Sequence, residues 1–87
     1  MYYVYILKCA NKDLYIGFST DLRRRIEQHK SGTVKSTKAY LPVKLVYYES
    51  YLNKTDALKR ELQLKNHKPK IDLKDQIINS IDQSGEA

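Results

Sequence analysis

The sequence predicts an α+β domain with a small, mostly antiparallel sheet, its elements in the order β-β-α-β-α-α. Runs of β-branched and aromatic residues stand at 2–8, 14–18 and 44–51, the first two separated by turn-forming residues. Between and after them lie segments with helical apolar spacing, bounded by capping residues. A chain of 87 residues supports one domain, with a core adequate for folding and little more. That single domain is expected over 1–81, and "DQSGEA", 82–87, is expected to be a disordered tail.

Along the chain, "YYVYILK" (2–8) reads as a strand, "ANKD" (10–13) as a turn, and "LYIGF" (14–18) as the antiparallel return. Ser19 or Thr20 is placed to cap a helix carrying Leu22 and Ile26, which Ser31-Gly32 ends. "TVKSTKAYLPV" (33–43) is polar and runs into a proline, so a loop is expected there. "KLVYYESY" (44–51) supplies the third strand. Asn53 and Asp56 have the spacing of a capping box and open a helix over 54–66, which Pro69 is expected to break. "IDLKDQIINSI" (71–81) has the spacing of a short third helix.

Sixteen Lys and Arg against ten Asp and Glu leave a net charge of +6 at pH 7. That balance points to a polyanionic partner, nucleic acid ahead of a membrane surface. Cys9, the only cysteine, excludes an internal disulfide and a cysteine-rich zinc site. "MYYVYILK" is too short for a signal peptide, and no later run is long enough to span a bilayer. A soluble protein of the reducing cytoplasm is expected, with no membrane partner.

The segment "LYIGFSTDLRRRIEQH" (14–29) carries the chemistry-bearing residues most densely. On a helix at about 100° per residue, Arg25 lies about 60° from Leu22, and His29 about 20° from it. Both therefore share the buried stripe of Leu22 and Ile26, while Arg23, Arg24 and Glu27 point outward. Arg23 and Arg24 read as solvated charges or phosphate attractors. Arg25 reads either as a stem snorkelling at the core edge or as a functional cation. In the next helix Glu61 falls inside the arc of Ala57, Leu58, Leu62 and Leu64. A carboxylate there needs a cation, a donor or a metal. It is either half of a salt bridge, Arg25 being one candidate partner, or a metal ligand.

Tyr15 and Gly17 share one face of the second strand, and Tyr3, Tyr5 and Leu7 share one face of the first. A loop of three or five residues brings Tyr5 and Tyr15 to the same side of the sheet; two or four separates them. Gly17 marks either a bulge or a place where a substrate chain passes close to the backbone beside Tyr15. If the tyrosines converge with Arg25, His29 and Glu61, the set suits phosphodiester hydrolysis. A lone carboxylate suits Mg²⁺, with Mn²⁺ as the other candidate, and arginine matches phosphate oxygens bidentately. Tyrosine, with an ordinary pKa of about 10, serves as a base only beside a cation or through a metal-bound water.

These residues resemble the GIY-YIG nuclease superfamily. "YVY" at 3–5 stands where the first triplet belongs, and "YIG" at 15–17 matches the second. Arg25 in "DLRRR", His29 one turn later, and Glu61 in "ALKRELQLK" occupy the positions of the family's arginine, histidine and metal-binding glutamate. "TKAYLPVKLVYYES" looks like the small stand-alone bacterial branch, related to the nuclease module at the start of an excision-repair endonuclease. The resemblance runs to about residue 75. It implies a three-stranded antiparallel sheet flanked by helices and a single divalent metal on Glu61. It also implies Tyr5 and Tyr15 at the reacting centre, one of them the base, Arg25 on the scissile phosphate, and His29 assisting. Tyr3 replaces the glycine of the first triplet. The family's closing asparagine has no counterpart at matching spacing, Asn66 and Asn79 being the candidates.

The expectation is a metal-dependent DNA endonuclease of repair or recombination, working as a homodimer or with a separate specificity or repair partner. The alternative is a nucleic-acid-binding module with a weak or inactive site. In either case Gly17, Arg23, Arg24, Lys35, Lys38, Lys54, Lys59, Lys68 and Lys70 are the expected nucleic-acid contacts. An interaction module is a third reading, against which stands the lack of any exposed amphipathic stripe in the sequence pattern.

Overall fold

The computed structural model describes residues 1–84. Strands β1 (Tyr2–Lys8) and β2 (Leu14–Ser19) form the expected hairpin. Strand β3 (Lys44–Tyr51) pairs antiparallel with the other edge of β1, giving the order β2-β1-β3. Lys8 faces Leu14, so the hairpin loop is 9–13, an odd length. The register then pairs Tyr5 with Gly17 and Leu7 with Tyr15. Odd parity places both tyrosines on one face of the sheet, and Val4, Ile6, Ile16 and Phe18 on the other.

Helix α1 (Leu22–Lys30) covers the tyrosine face, burying Ile26 against Tyr5, Leu7, Cys9 and Val43. Its cap is Asp21, whose carboxylate accepts from the Arg24 amide at 3.2 Å. Ser19, expected as a cap, instead braces the turn, with Oγ accepting from the Asp21 amide at 3.0 Å. The helix ends in a Schellman motif: the Gly32 amide donates to His29 and the Thr33 amide to Gln28, both at 3.1 Å. Gly32 supplies the left-handed residue that this ending requires, with φ +79°.

The segment expected as a loop contains one helical turn, α2 (Lys35–Lys38), which buries Thr37. Apolar periodicity could not reveal it, because the buried side chain is polar. Helix α3 (Lys54–Leu64) starts at Asn53, whose side chain accepts from the Thr55 amide at 2.8 Å. It packs on the opposite face of the sheet with α4 (His67–Gln76), around Val4, Ile6, Ile16, Ala57, Leu64 and Leu73. Pro69 does not lie beyond a helix end as a breaker. It sits in the first turn of α4, where its missing N–H would have had no helical partner. Helix α5 (Ile78–Ser84) follows, so the 71–81 segment spans the end of one helix and most of another. The expected tail is helical as far as Ser84; 85–87 lie outside the described residues.

Helix α3 is rotated from the expected arc. Ala57 and Leu64 are buried, whereas Leu58 and Leu62 are 37% and 65% exposed. A polar network accounts for the rotation. Glu49 on β3 is largely shielded from water and needs donors. Arg60 supplies two, Nε at 2.9 Å and Nη2 at 3.0 Å, and the Tyr47 and Tyr51 hydroxyls donate as well. Turning Arg60 toward Glu49 carries Leu58 and Leu62 outward, creating an exposed apolar stripe that the sequence pattern did not disclose. Glu61 remains half-buried between Ala57 and Leu64. No helix among the described residues is long and apolar enough to cross a membrane.

Candidate active site

The site grows from β1 outward. Tyr5, 1% exposed, projects from the middle strand toward α1. Its ring lies over Gly17 of the neighbouring strand: a Cβ at 17 would collide with Cζ and the hydroxyl oxygen of Tyr5. The glycine is therefore required by the Tyr5 ring. The bulge is ruled out, since β1 and β2 pair in unbroken register there.

The Tyr5 hydroxyl is hydrogen-bonded to His29 Nε2 at 2.7 Å. The other ring nitrogen, Nδ1, is 2.8 Å from Thr37 Oγ1. Tyr15 closes the group, its ring centroid 5.2 Å from that of His29 and 6.4 Å from that of Tyr5. His29 and Thr37 are both buried. Thr37 is the site neighbour that sequence reasoning missed; its signal would have been a small polar residue one turn beyond a Gly-ended helix.

Arg25 is half-buried one turn before His29, with Nη1 donating to Gln28 Oε1 at 3.1 Å. Arg23 and Arg24 are exposed, in agreement with the helix-face assignment. Burial pushes the Tyr5 phenol above its ordinary 10, and Tyr15 and Glu61 add to the rise. The neighbouring Arg25 guanidinium acts against it by favouring the phenolate. Burial, reinforced by the Arg25 charge, lowers His29 to about 4, so its imidazole is neutral at physiological pH.

Glu61 comes from the helix on the opposite sheet face, and among the described residues no hydrogen bond or ion pair joins it to the cluster. Its charge makes only a lesser contribution to the rise of Tyr5. Its side chain is 17% exposed and pairs with Lys65, Nζ to Oε2 at 3.5 Å, and not with Arg25. No group of three or more His, Cys, Asp and Glu that could cage a metal occurs among the described residues. A half-buried carboxylate with one long ion pair fits a hard divalent cation that keeps most of its waters, and does not fit an all-protein cage.

The remaining basic residues are not gathered on one side. Lys35 and Lys38 flank Thr37 on α2, beside the tyrosine face. Lys54 and Lys59 on α3, and Lys68 and Lys70 on α4, belong to the helices of the other face. All are exposed except Lys70, which is half-buried. Asn66 is the N-cap residue of α4 and Asn79 is exposed on α5.

The tyrosine pair, Arg25 and a neutral His29 thus share one sheet face, with Glu61 on the helix behind it. The chain belongs to the GIY-YIG catalytic-domain family, whose model matches residues 1–74. This is a nuclease family whose members typically use divalent metals. Within it the chain is similar to the UPF0213 proteins. That of Staphylococcus aureus strain Mu3 is 45% identical over 67 residues, 76% of this chain and 82% of the relative. UPF0213 protein SAV0488 of strain Mu50 matches to the same extent. Among solved structures, the solution structure of UPF0213 protein BH0048 from Bacillus halodurans aligns with a TM-score of 0.55 and 35% identity. The alignment covers 91% of this chain and 84% of that one.

Proposed function

We propose that this protein is a metal-dependent endonuclease that hydrolyses DNA, with Tyr5 as general base. The observation that carries the reading is the buried hydrogen bond between Tyr5 and a neutral His29, made next to Arg25. Burial holds the Tyr5 phenol above its ordinary value even with Arg25 beside it, so Tyr5 acts as a base only with a further cation close by, which a bound metal would supply. Arg25 also offers a planar fork of donors for the non-bridging phosphate oxygens. Tyr5 takes the proton of the attacking water, and Tyr15 packs against His29 and Tyr5 to hold both rings in place. Glu61 would hold the metal, Mg²⁺ or Mn²⁺, whose charge neutralises the phosphate and acidifies the attacking water. Arg23, Arg24, Lys35 and Lys38, on the helices next to the site, contact flanking phosphates, and Lys54, Lys59, Lys68 and Lys70 extend the basic surface.

A cleft of about 190 Å³ opens beside Tyr15, lined by the hairpin loop and α2, including Asp13, Ser36, Thr37 and Tyr40. It gives a nucleotide next to the scissile phosphate somewhere to sit. The choice of DNA over RNA, a role in repair or recombination, a cytoplasmic location and a homodimer or specificity partner complete the proposal.

One observation favours a second reading. Lys65 already partners Glu61, so the carboxylate has a structural role without a metal. Under that reading the domain binds nucleic acid and does not cut. The deciding experiment is cleavage of labelled single-stranded, duplex, flap and branched DNA with Mg²⁺, Mn²⁺ or chelator, beside Glu61→Gln. The nuclease reading expects metal-dependent cutting that falls at least about 100-fold in Glu61→Gln while binding persists. Salt-sensitive binding with no cutting of any substrate establishes the binding module.

A further inference from the structure

The hydrogen bonds around His29 allow two arrangements of its single proton. With the proton on Nδ1, Tyr5 donates to Nε2, Nδ1–H donates to Thr37 Oγ1, and the Thr37 hydroxyl hydrogen needs another acceptor. Among the described residues Thr37 Oγ1 has no side-chain or main-chain partner besides His29, and the residue is 1% exposed. A buried donor would then be left unsatisfied. With the proton on Nε2, the Thr37 hydroxyl donates to Nδ1 and the imidazole donates to the Tyr5 oxygen. The group left without an acceptor is then the Tyr5 proton itself, if Tyr5 carries one. It lies beside Arg25, which offers donors only. A general base must shed that proton to react, and in the reacting phenolate form the Nε2–H arrangement leaves no orphan. The Nδ1–H arrangement would instead leave the phenolate facing the Nε2 lone pair.

We propose that Thr37 is a positioning residue that locks His29 as the Nε2–H tautomer, so that the imidazole donates to the Tyr5 oxygen. The inference rests on the reading of Tyr5 as the reacting base and extends the site to α2, a turn that local sequence pattern presents as loop. It assigns His29 the role of a fixed donor that stabilises the phenolate, and not that of a proton acceptor. The second hydrogen bond of the imidazole fixes the tautomer, and Thr37 is the residue that makes it. The Schellman ending at Gly32 and the short α2 helix place the Thr37 hydroxyl eight residues beyond His29 at 2.8 Å.

The test is ¹⁵N NMR of histidine-labelled protein, free of metal and substrate, near pH 7. The chain has two histidines, and His67→Gln removes the exposed one to assign His29. The expected spectrum shows Nδ1 unprotonated and Nε2 protonated. A proton on Nδ1 overturns the inference. Because this readout needs no turnover, it decides the tautomer even if the protein proves not to cut DNA. Conversely, an Nδ1–H tautomer in an active enzyme removes this inference and leaves the nuclease reading standing. In the cleavage assay, Thr37→Val should lower kcat by roughly 10–100-fold with KM little changed. Thr37→Ser, which keeps the hydroxyl, should recover most of that loss. Equal rates for the wild type, Thr37→Val and Thr37→Ser also overturn it, and if the valine variant does not fold, the wild-type spectrum still decides.

Discussion

At the scale of single residues, the site is defined by what surrounds Tyr5. Gly17 is the clearest case: any side chain there must displace the Tyr5 ring. Gly17→Ala is expected to cost on the order of 100-fold in turnover, because displacement of a reacting group by about 1 Å has that effect. Steady-state kinetics check this, with circular dichroism to show that the fold persists. His29 yields a second prediction. Its folded value of about 4 lies below the ordinary 6.5, so the unfolded chain binds the proton more tightly. The resulting stability is fully present above about 6.5 and is lost as pH falls toward 4. The difference is worth about 3 kcal/mol. Urea unfolding of the wild type and His29→Gln at a series of pH values should show that slope in the former and its loss in the latter. The types and spacing of Tyr5, Tyr15, Arg25 and His29 were legible in sequence, and helix periodicity put Arg25 and His29 on one face of α1. The common face of the two tyrosines waited on the length of the hairpin loop. The reason for Gly17 was not legible, since it depends on how a ring on one strand lies across the next.

At the scale of elements, the strands and α1 were legible, and α3 was misjudged in rotation. Helical-wheel reasoning assumes that leucines decide the buried arc. Here the carboxylate of Glu49 decides it, because Arg60 on the same helix must face that group. Burial pushes Glu49 up, but the hydrogen bonds from Arg60, Tyr47 and Tyr51 outweigh it and hold the carboxyl below its ordinary value. Burial, together with the bonds to Glu49, raises Tyr47 and Tyr51 to about 12. Glu49→Gln removes the charge and leaves Arg60 with a neutral partner. With Arg60 and Glu49 side chains 26% and 16% exposed, the cost should be about 1–3 kcal/mol, less than for a fully buried pair. Chemical denaturation measures it. The wild-type contribution is present above the ordinary carboxylate range and fades as pH falls through the depressed Glu49 value, whereas Glu49→Gln should lack that acid-side loss.

At the scale of the whole molecule, a net charge of +6 is spread over helices on both faces of a thin sheet. Only the α1–α2 side stands next to the tyrosine cluster. Arg23 and Arg24 are exposed there and bonded to no side chain among the described residues through their own guanidinium groups. The double substitution Arg23→Ala with Arg24→Ala should weaken DNA binding and reduce the slope of log K against log salt by about 1–2. Turnover at saturating substrate should change little. Fluorescence anisotropy at several salt concentrations checks the first and single-turnover cleavage the second. Loss of turnover with intact binding would mean that these residues act at the scissile phosphate.

The sequence by itself determined the three strands, their hairpin, the family, and the face of α1 that turns inward. Those follow from periods of two and 3.6 residues and from spaced motifs, which are properties of chain neighbours. Tertiary structure decided that the loop at 9–13 brings Tyr5 and Tyr15 to one side. It also decided that α3 turns on an Arg60–Glu49 pair and that Thr37 closes the hydrogen-bond chain from Tyr5 through His29. The last two join residues distant in sequence, and both are settled by satisfying buried polar groups. Such groups have no periodic signature along the chain, so only packing reveals their partners.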